Sequence, residues 1–519
     1  MKHRFQLMMH LAVVSVLVIS IVGCTTLPKN FTPGPDSFGL APFPEGRLAE
    51  FSARVRAEHG DEDSGLLILD TPKLALDWRL ALIDHAKESI DTQYFIWLGD
   101  GSGTLALDRL IDAADRGVRV RLLIDDLRLL GGDKAVKALD MHPNFEVRVF
   151  NPWRTRKGLI TAVGRGFEFL FHIKRLNHRM HNKLLQADNQ LAIVGGRNMG
   201  NEYYGMYKKY NFRDLDLLAA GPVVTEVTDA FDYYWNSDWV YPGDLFAPKL
   251  GPEGMEKLRD EISEELDNAG PALATFPLER RDWTDELEAA FDQMYFGPSH
   301  VVFDDLPAGK DLPPVQVADS LDELAQEIEE EVIIVSAYFI PGQEFLDWLE
   351  KTTAKGIRVR ILTNSLSSND EPISNSGYKK YRKPVLERGG ELHEMRANPD
   401  NQNLDEIPPT EAEFLGLHTK AIVIDRRISF VGSLNLDPRS IYLNTEMGLI
   451  VDDPELGEAL AQLLERDFSP ANSWRVFLNE DGKLRWESVE GIVKKQPARS
   501  GGQRFQDGFY SLLPIEKHL

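Results

Sequence analysis

Cysteine is nearly absent from this 519-residue chain, with Cys24 standing alone. A single thiol excludes an intrachain disulfide framework and a cysteine-rich structural zinc site, because each needs several suitably spaced ligands. Positive charge is also scarce. Lys and Arg number 58 against 82 Asp and Glu, giving a formal charge of −24 and a pI near 5.0. That balance argues against a general nucleic-acid binder, whose affinity needs a positive surface over the phosphates. With 43% hydrophobic and 27% charged residues, the composition excludes wholesale disorder, collagen-like repeats and a polytopic membrane protein. At about 150 residues per domain the length allows about three domains, or two large ones.

The one long apolar run is N-terminal. Met1-Lys2-His3-Arg4 leads into Leu11-Ala-Val-Val-Ser-Val-Leu-Val-Ile-Ser and on to Ile21-Val22-Gly23-Cys24. A basic end, an apolar stretch and a small residue before a cut make residues 1–23 an export signal. An uncleaved anchor helix is the alternative, since the stretch with its flanks approaches bilayer-spanning length. The Ile-Val-Gly-Cys pattern resembles the lipobox of bacterial lipoproteins, which implies cleavage before Cys24 and a lipid on its sulfur. Either reading leaves the body tethered on the periplasmic or extracytoplasmic side of the membrane. Thr25, where an Asp would retain such a lipoprotein, implies passage to an outer membrane if one exists. Residues 24–50 carry Pro28, Pro33, Pro35, Pro42 and Pro44 with no helical or strand period, and read as an extended tether.

The body contains its own copy. Tyr94-Phe-Ile recurs at Tyr338-Phe-Ile. Arg116-Gly-Val-Arg-Val-Arg-Leu-Leu-Ile-Asp recurs as Lys355-Gly-Ile-Arg-Val-Arg-Ile-Leu-Thr-Asn, and Phe145-Glu-Val-Arg-Val-Phe-Asn-Pro parallels Glu391-Leu-His-Glu-Met-Arg-Ala-Asn-Pro. The matches are separated by a near-constant offset of roughly 240 residues, the mark of a duplication. Apolar-run strands alternate with helical patterns such as Leu105-Ala-Leu-Asp-Arg-Leu-Ile-Asp-Ala-Ala, so the chain predicts two similar α/β domains, 51–245 and 316–475, with largely parallel sheets. Between them, 246–315 reads as an acidic connector with a helix from Met255. Glu327-Ile-Glu-Glu-Glu reads as helix surface, and 476–519 as C-terminal packing without a chemical motif.

The duplication repeats chemistry. His181-Asn-Lys183, then Asp188, then Gly195-Gly196-Arg-Asn198 is matched by His418-Thr-Lys420, then Asp425, then Gly432-Ser433-Leu-Asn435. On a strand, alternation would put each histidine and its lysine on one face. Imidazole serves as nucleophile or as acid and base, while lysine and asparagine donate to phosphate oxygens. Two lysines that neutralise a phosphate make a metal or other cofactor unnecessary. A lone His-x-Lys is more often a surface pair, but two copies with matching tails reverse that reading.

The constellation resembles the phospholipase D superfamily, and within it bacterial cardiolipin synthases of the C type. Tyr94-Phe-Ile-Trp, Arg179-Met-His-Asn-Lys, Val194-Gly-Gly-Arg-Asn and Phe212-Arg-Asp-Leu-Asp carry the likeness. The resemblance implies an α/β fold of two homologous phospholipase D-like α/β/α sandwich domains with the active site at their pseudo-twofold interface. It assigns Asp214 to orient the first half's histidine and Glu446 the second's. His181 would attack phosphorus to give a phosphohistidine, and His418 would act as acid and base. Lys183, Lys420, Asn198, Asn435, Ser433 and Gly196 would hold the phosphate. Gly196 stands in the first half where Ser433 stands in the second, so the halves are unequal. Asp188 and Asp425 would pair within the protein.

From Arg154 to Lys183 eight cations face one acid, Glu168, interleaved with Phe167-Glu-Phe-Leu-Phe171. Such a segment suits an anionic phospholipid membrane; an irregular insertion packed on the core is the other reading. Arg119, Arg121, Arg358 and Arg360 read as structural. The preferred function is phosphatidyl transfer to phosphatidylglycerol, with phosphatidylethanolamine as a candidate second lipid, making cardiolipin. Hydrolysis to phosphatidic acid, a nuclease, and a non-catalytic lipid-binding lipoprotein are the alternatives, with no nucleic-acid partner expected.

Overall fold

Each half begins as a strand–helix–strand–helix–strand run, and short turns then force the later strands to return antiparallel. The computed structural model describes residues 27–28, 31, 34–128, 132–156, 161–247, 249–306 and 316–511. Segment 1–23, Cys24 and Lys157 lie outside the described residues. Among those described, no helix is long and apolar enough to cross a membrane.

The first half supplies β1 (Asp63–Leu69), β2 (Ser89–Ile96), β3 (Arg119–Arg128), β4 (Phe145–Phe150), β5 (Arg179–Met180), β6 (Leu184–Ala187), β7 (Leu191–Gly195), β8 (Asn211–Arg213), β9 (Asp216–Ala220) and β10 (Val240–Pro242). The second supplies β11 (Tyr295–Phe303), β12 (Glu331–Ser336), β13 (Arg358–Asn364), β14 (Glu391–Met395), β15 (Leu415–Leu417), β16 (Lys420–Ile424), β17 (Ile428–Gly432), β18 (Asn444–Thr445), β19 (Met447–Asp452) and β20 (Ser473–Leu478). The first sheet runs β10-β4-β3-β2-β6-β7-β9-β1, and the second β20-β14-β13-β12-β16-β17-β19. Within these two sheets only β2-β3-β4 and β12-β13-β14 are parallel among the described residues, so the largely parallel expectation is corrected to mixed sheets. The physical reason is turn length. Asp188 and Asn189, at φ 55° and 50°, form the tight β6–β7 turn, and Asp425 and Arg426, at 49° and 53°, form β16–β17. Two left-handed residues make the hairpin turn that suits strand twist.

β11 stitches the sheets together. Its first part pairs with β1 and its second with β19, so the two sheets meet along one strand. The inner faces also share a core. Alternation along β7 sends Leu191 and Ile193 outward to the helices Pro72–His85 and Gly101–Asp115, and Ala192 and Val194 inward. The inward residues join Val335, Leu362, Val423 and Leu449 of the second half in one cluster with the helices Val223–Trp235 and Pro454–Phe468. Two sandwiches therefore pack face to face, which gives the site a rigid floor.

Backbone pairing also corrects the register of the repeat. Trp97 bridges Met199 and Phe339 bridges Leu436; Gln93 faces Leu184 and Val335 faces Ala421. Phe339 is thus the counterpart of Trp97, and Tyr338 sits where the first half has Ile96. The Tyr-Phe-Ile match is two residues out of step.

Three further segments differ from expectation. The tether is strapped to the body rather than free: Ser37 and Gly39 donate from their amides to Asn236 and Asp232 at 3.0 and 2.7 Å, and Arg121 donates to the Ser37 carbonyl at 2.6 Å. The connector includes the helix Gly254–Asn268, but Leu258, Ile262, Trp283 and Phe291 bury in the first half's core. The acidic run at Glu327–Glu330 is a turn leading into β12, not a helix face. At the C-terminus the helix Gly501–Tyr510 docks through Asp507, which accepts from Asn375 and Lys379 at 2.7 and 2.9 Å.

Candidate active site at the interface of the two halves

Both histidines lie outside the strands the sequence reading gave them. His181 follows the two-residue β5 and His418 follows β15, each in a break before the next strand. Each break is backed by the other half. β5 pairs parallel with β18, and the His181 amide donates to the Thr445 carbonyl at 2.8 Å. β8 pairs parallel with β15, and the His418 amide donates to the Arg213 carbonyl at 2.8 Å.

That backing dictates the acids. Glu446 is the residue after Thr445, and its Oε2 lies 2.7 Å from His181 Nδ1. Asp214 is the residue after Arg213, and its Oδ2 lies 2.5 Å from His418 Nδ1. The expected assignment, each acid serving its own half, is therefore corrected: the pairs are crossed. His181 and His418 are 7% and 6% exposed, and Lys183 and Lys420 are each 1% exposed. Each lysine ammonium donates to the carbonyl of its own motif histidine. Four catalytic-type side chains and two carboxylates from both halves are thus gathered into one buried centre.

A family model described as cardiolipin synthase, phospholipase D-like domain, matches residues 80–235 and 321–469, together more than half of the chain. The chain belongs to the phospholipase D-like cardiolipin synthase family. Cardiolipin synthase C of Escherichia coli K12 is 34% identical over 485 residues, covering 91% of this chain and 99% of that protein. An uncharacterized protein of Helicobacter pylori 26695 is 31% identical over 516 residues, covering 98% and 99%. Among solved structures, phosphatidylserine synthase of Haemophilus influenzae Rd KW20 shares the fold, with a TM-score of 0.57 at 14% identity over 90% of this chain and all of that one. The chain is accordingly an enzyme of the phospholipase D superfamily.

Within this cardiolipin synthase-family site the two acids are held differently. Ser433 donates to Glu446 Oε2 at 2.5 Å and accepts from the Met447 amide at 3.0 Å. Its expected role on the phosphate is corrected, because the hydroxyl is spent on the carboxylate that holds His181. In the first half a Cβ on Gly196 would stand 2.2 Å from Asp214 Oδ1, so the shorter acid fills the space a serine would take. Asp214 Oδ1 accepts instead from the Leu215 amide at 2.8 Å. Asn198 is also engaged: Oδ1 accepts from the Ile96 amide at 3.1 Å and Nδ2 donates to Tyr203 at 2.9 Å. Asn435 Oδ1 is buried with no hydrogen bond among the described residues. Asp188 accepts from the amides of Lys87, Glu88 and Ser89 at 2.8–3.1 Å, and Asp425 from those of Glu329, Glu330 and Glu331 at 2.8–2.9 Å. These two acids join each motif's turn to the start of its first parallel strand.

Burial dominates the electrostatics. It pushes both histidines well below 6.5, with the neighbouring lysines adding to the shift. It brings Lys183 down to about 7 against the opposing pull of Glu446, and Lys420 to about 8 against Asp214. Glu446 is raised to about 7 by the same burial, and Asp214 is raised also. Desolvation disfavours every charged form here, so the free centre is poised for a ligand that brings negative charge.

Several participants carried no motif. Phe95 stands edge-on to His181 at 4.9 Å, and Tyr203 and Phe212 pack on His418 at 5.1 and 5.0 Å. Asp304, the residue after β11, accepts from the amides of Glu446 and Val317 at 2.8 and 2.9 Å and fixes the acid's backbone. Phe95 and Phe212 had a signal, the first inside the repeated Tyr94-Phe-Ile and the second two residues before Asp214.

Crossed pairing is measurable. In a thermal-stability double-mutant cycle, His181→Ala and Glu446→Gln are expected to couple by about 1–3 kcal/mol, and more strongly than His181→Ala and Asp214→Asn, which share the two lysines but no hydrogen bond. Coupling of His181 to Asp214 instead would restore the uncrossed assignment.

Proposed function

We propose that the enzyme transfers a phosphatidyl group to phosphatidylglycerol, making cardiolipin from it and a second phospholipid, with phosphatidylethanolamine as the candidate donor. The crossed histidine–carboxylate pairs around two buried lysines carry this reading, together with the relative named cardiolipin synthase C at 34% identity. A carboxylate on each Nδ1 fixes the tautomer and leaves Nε2 as the working nitrogen.

In the first step His181 Nε2 attacks phosphorus. The bond from phosphorus to the donor's headgroup oxygen breaks, and that oxygen takes a proton from His418 Nε2. In the second step His418 removes the proton of a phosphatidylglycerol hydroxyl, whose oxygen displaces the His181 nitrogen from phosphorus. Lys183, Lys420 and Asn435 hold the phosphate oxygens as charge develops. The phosphodiester's own charge favours the imidazolium that His418 needs, which burial suppresses in the free centre. The reading keeps Cys24 as the lipid anchor on the extracytoplasmic side.

Purified protein incubated with labelled phosphatidylglycerol, with and without phosphatidylethanolamine, is expected to yield cardiolipin by mass spectrometry. His181→Ala and His418→Ala are each expected to lower its formation by about 10³-fold or more. Phosphatidic acid as the sole product would make the enzyme a hydrolase.

The pH profile follows from the shifts. Histidines held below 6.5 keep the nucleophile neutral down to that pH, so the acid limb of kcat/KM falls below 6.5. His418 must carry a proton to act as acid and is held below 6.5, so kcat/KM already declines above that pH, and the lysines lowered to about 7 and about 8 steepen the fall as they lose their charge through those values. A kcat/KM still rising above pH 9, measured on the same transfer, would contradict this.

A further inference from the structure

The helix Thr161–Asn177 ends four residues before His181 and breaks at His172, where φ is −130° and ψ 23°. Immediately before the break, Phe169, Leu170 and Phe171 are 44%, 72% and 75% exposed. Consecutive helical residues lie about 100° apart, so three in a row cover about half the circumference. A helix lying flat on a core would bury one of them. The flanks are pinned. Glu168 accepts from the amides of Arg154 and Thr155 at 2.9 and 3.0 Å and from Arg175 at 2.8 Å, and Leu176 is buried. The three apolar side chains therefore stand out from a fixed base.

Charge selects the occupant. Arg165 and Lys174 are exposed on the same helix, and Glu168, the one acid between Arg154 and Lys183, is matched by Arg175. A positive, apolar tip on a chain of net charge −24 complements an anionic phospholipid surface. The tip is also close to the chemistry. Six helical residues, the break at His172 and four residues of extended chain separate Leu170 from His181, at most about 27 Å. His178 Nδ1 lies 2.8 Å from the Leu443 carbonyl, which ties the same segment to the other half just ahead of Glu446.

We infer that Phe169, Leu170 and Phe171 form an interfacial wedge that enters the acyl boundary of an anionic phospholipid surface and seats the active-site face on the membrane. The wedge deepens the phospholipid reading and rests on it only for turnover.

Two measurements test it on the full-length chain. In the first, a Leu170→Cys variant with Cys24→Ser carries an environment-sensitive fluorophore and is mixed with phosphatidylglycerol vesicles containing a lipid-borne quencher. Quenching is expected at position 170 and absent from a Phe505→Cys control, which is 77% exposed at the C-terminal helix. Equal quenching at both positions, no quenching at 170, or protection that depends on protein concentration without lipid would overturn the wedge, the last pointing to a second copy of the chain. In the second, the variant with Phe169→Ser, Leu170→Ser and Phe171→Ser is expected to lose at least about tenfold in turnover of vesicular phosphatidylglycerol and to stay within about twofold on a short-chain form below its micelle concentration. Equal loss on both substrates would also overturn it. The quenching arm needs no turnover, so failure of the transferase reading leaves the wedge decided on its own.

Discussion

Each histidine of this enzyme is completed by a carboxylate from the opposite half, and the rest of the structure serves that exchange. β5 against β18 and β8 against β15 are pairings of two and three residues, too short to be stable alone. They persist because two sheets sharing β11 and one inner core hold them in place. A single half alone would hold an imidazole without its acid, so the site needs both halves together.

The duplication is also unequal where it touches chemistry. Glu446 is long and braced by Ser433 and Asp304, whereas Asp214 is short and packed against Gly196. Aromatic contact differs as well: among the described residues Phe95 lies against His181, and Tyr203 and Phe212 against His418. Two imidazoles in unlike surroundings differ in their fitness as nucleophile and as acid, whereas identical copies would take either task equally.

Much of this was legible in the sequence for physical reasons. Apolar-run periodicity located the strand–helix alternation, and the paired His-x-Lys motifs named the centre because phosphoryl chemistry needs those groups twice. What failed was spatial. Strand alternation within one half says nothing about which half backs a chain break, so the crossed acids were hidden. A three-residue match at Tyr338, weak by itself, stood in for the backbone register that aligns it with Ile96. Asp304 acts through one carboxylate bonding two amides, which leaves no spacing to read. The acids at Glu327–Glu330 imitate a helix face, yet Asp425 captures the amides of Glu329–Glu331 and holds them in a turn and strand start.

The central claim is that two unlike halves share one phosphate centre with one nucleophile. Quenching a turnover reaction in alkaline denaturant, then mapping adducts by mass spectrometry, tests it directly. The account predicts a single phosphatidyl group per chain, on His181, accumulating when His418 is replaced. Adducts on both histidines, or on His418 alone, would contradict it.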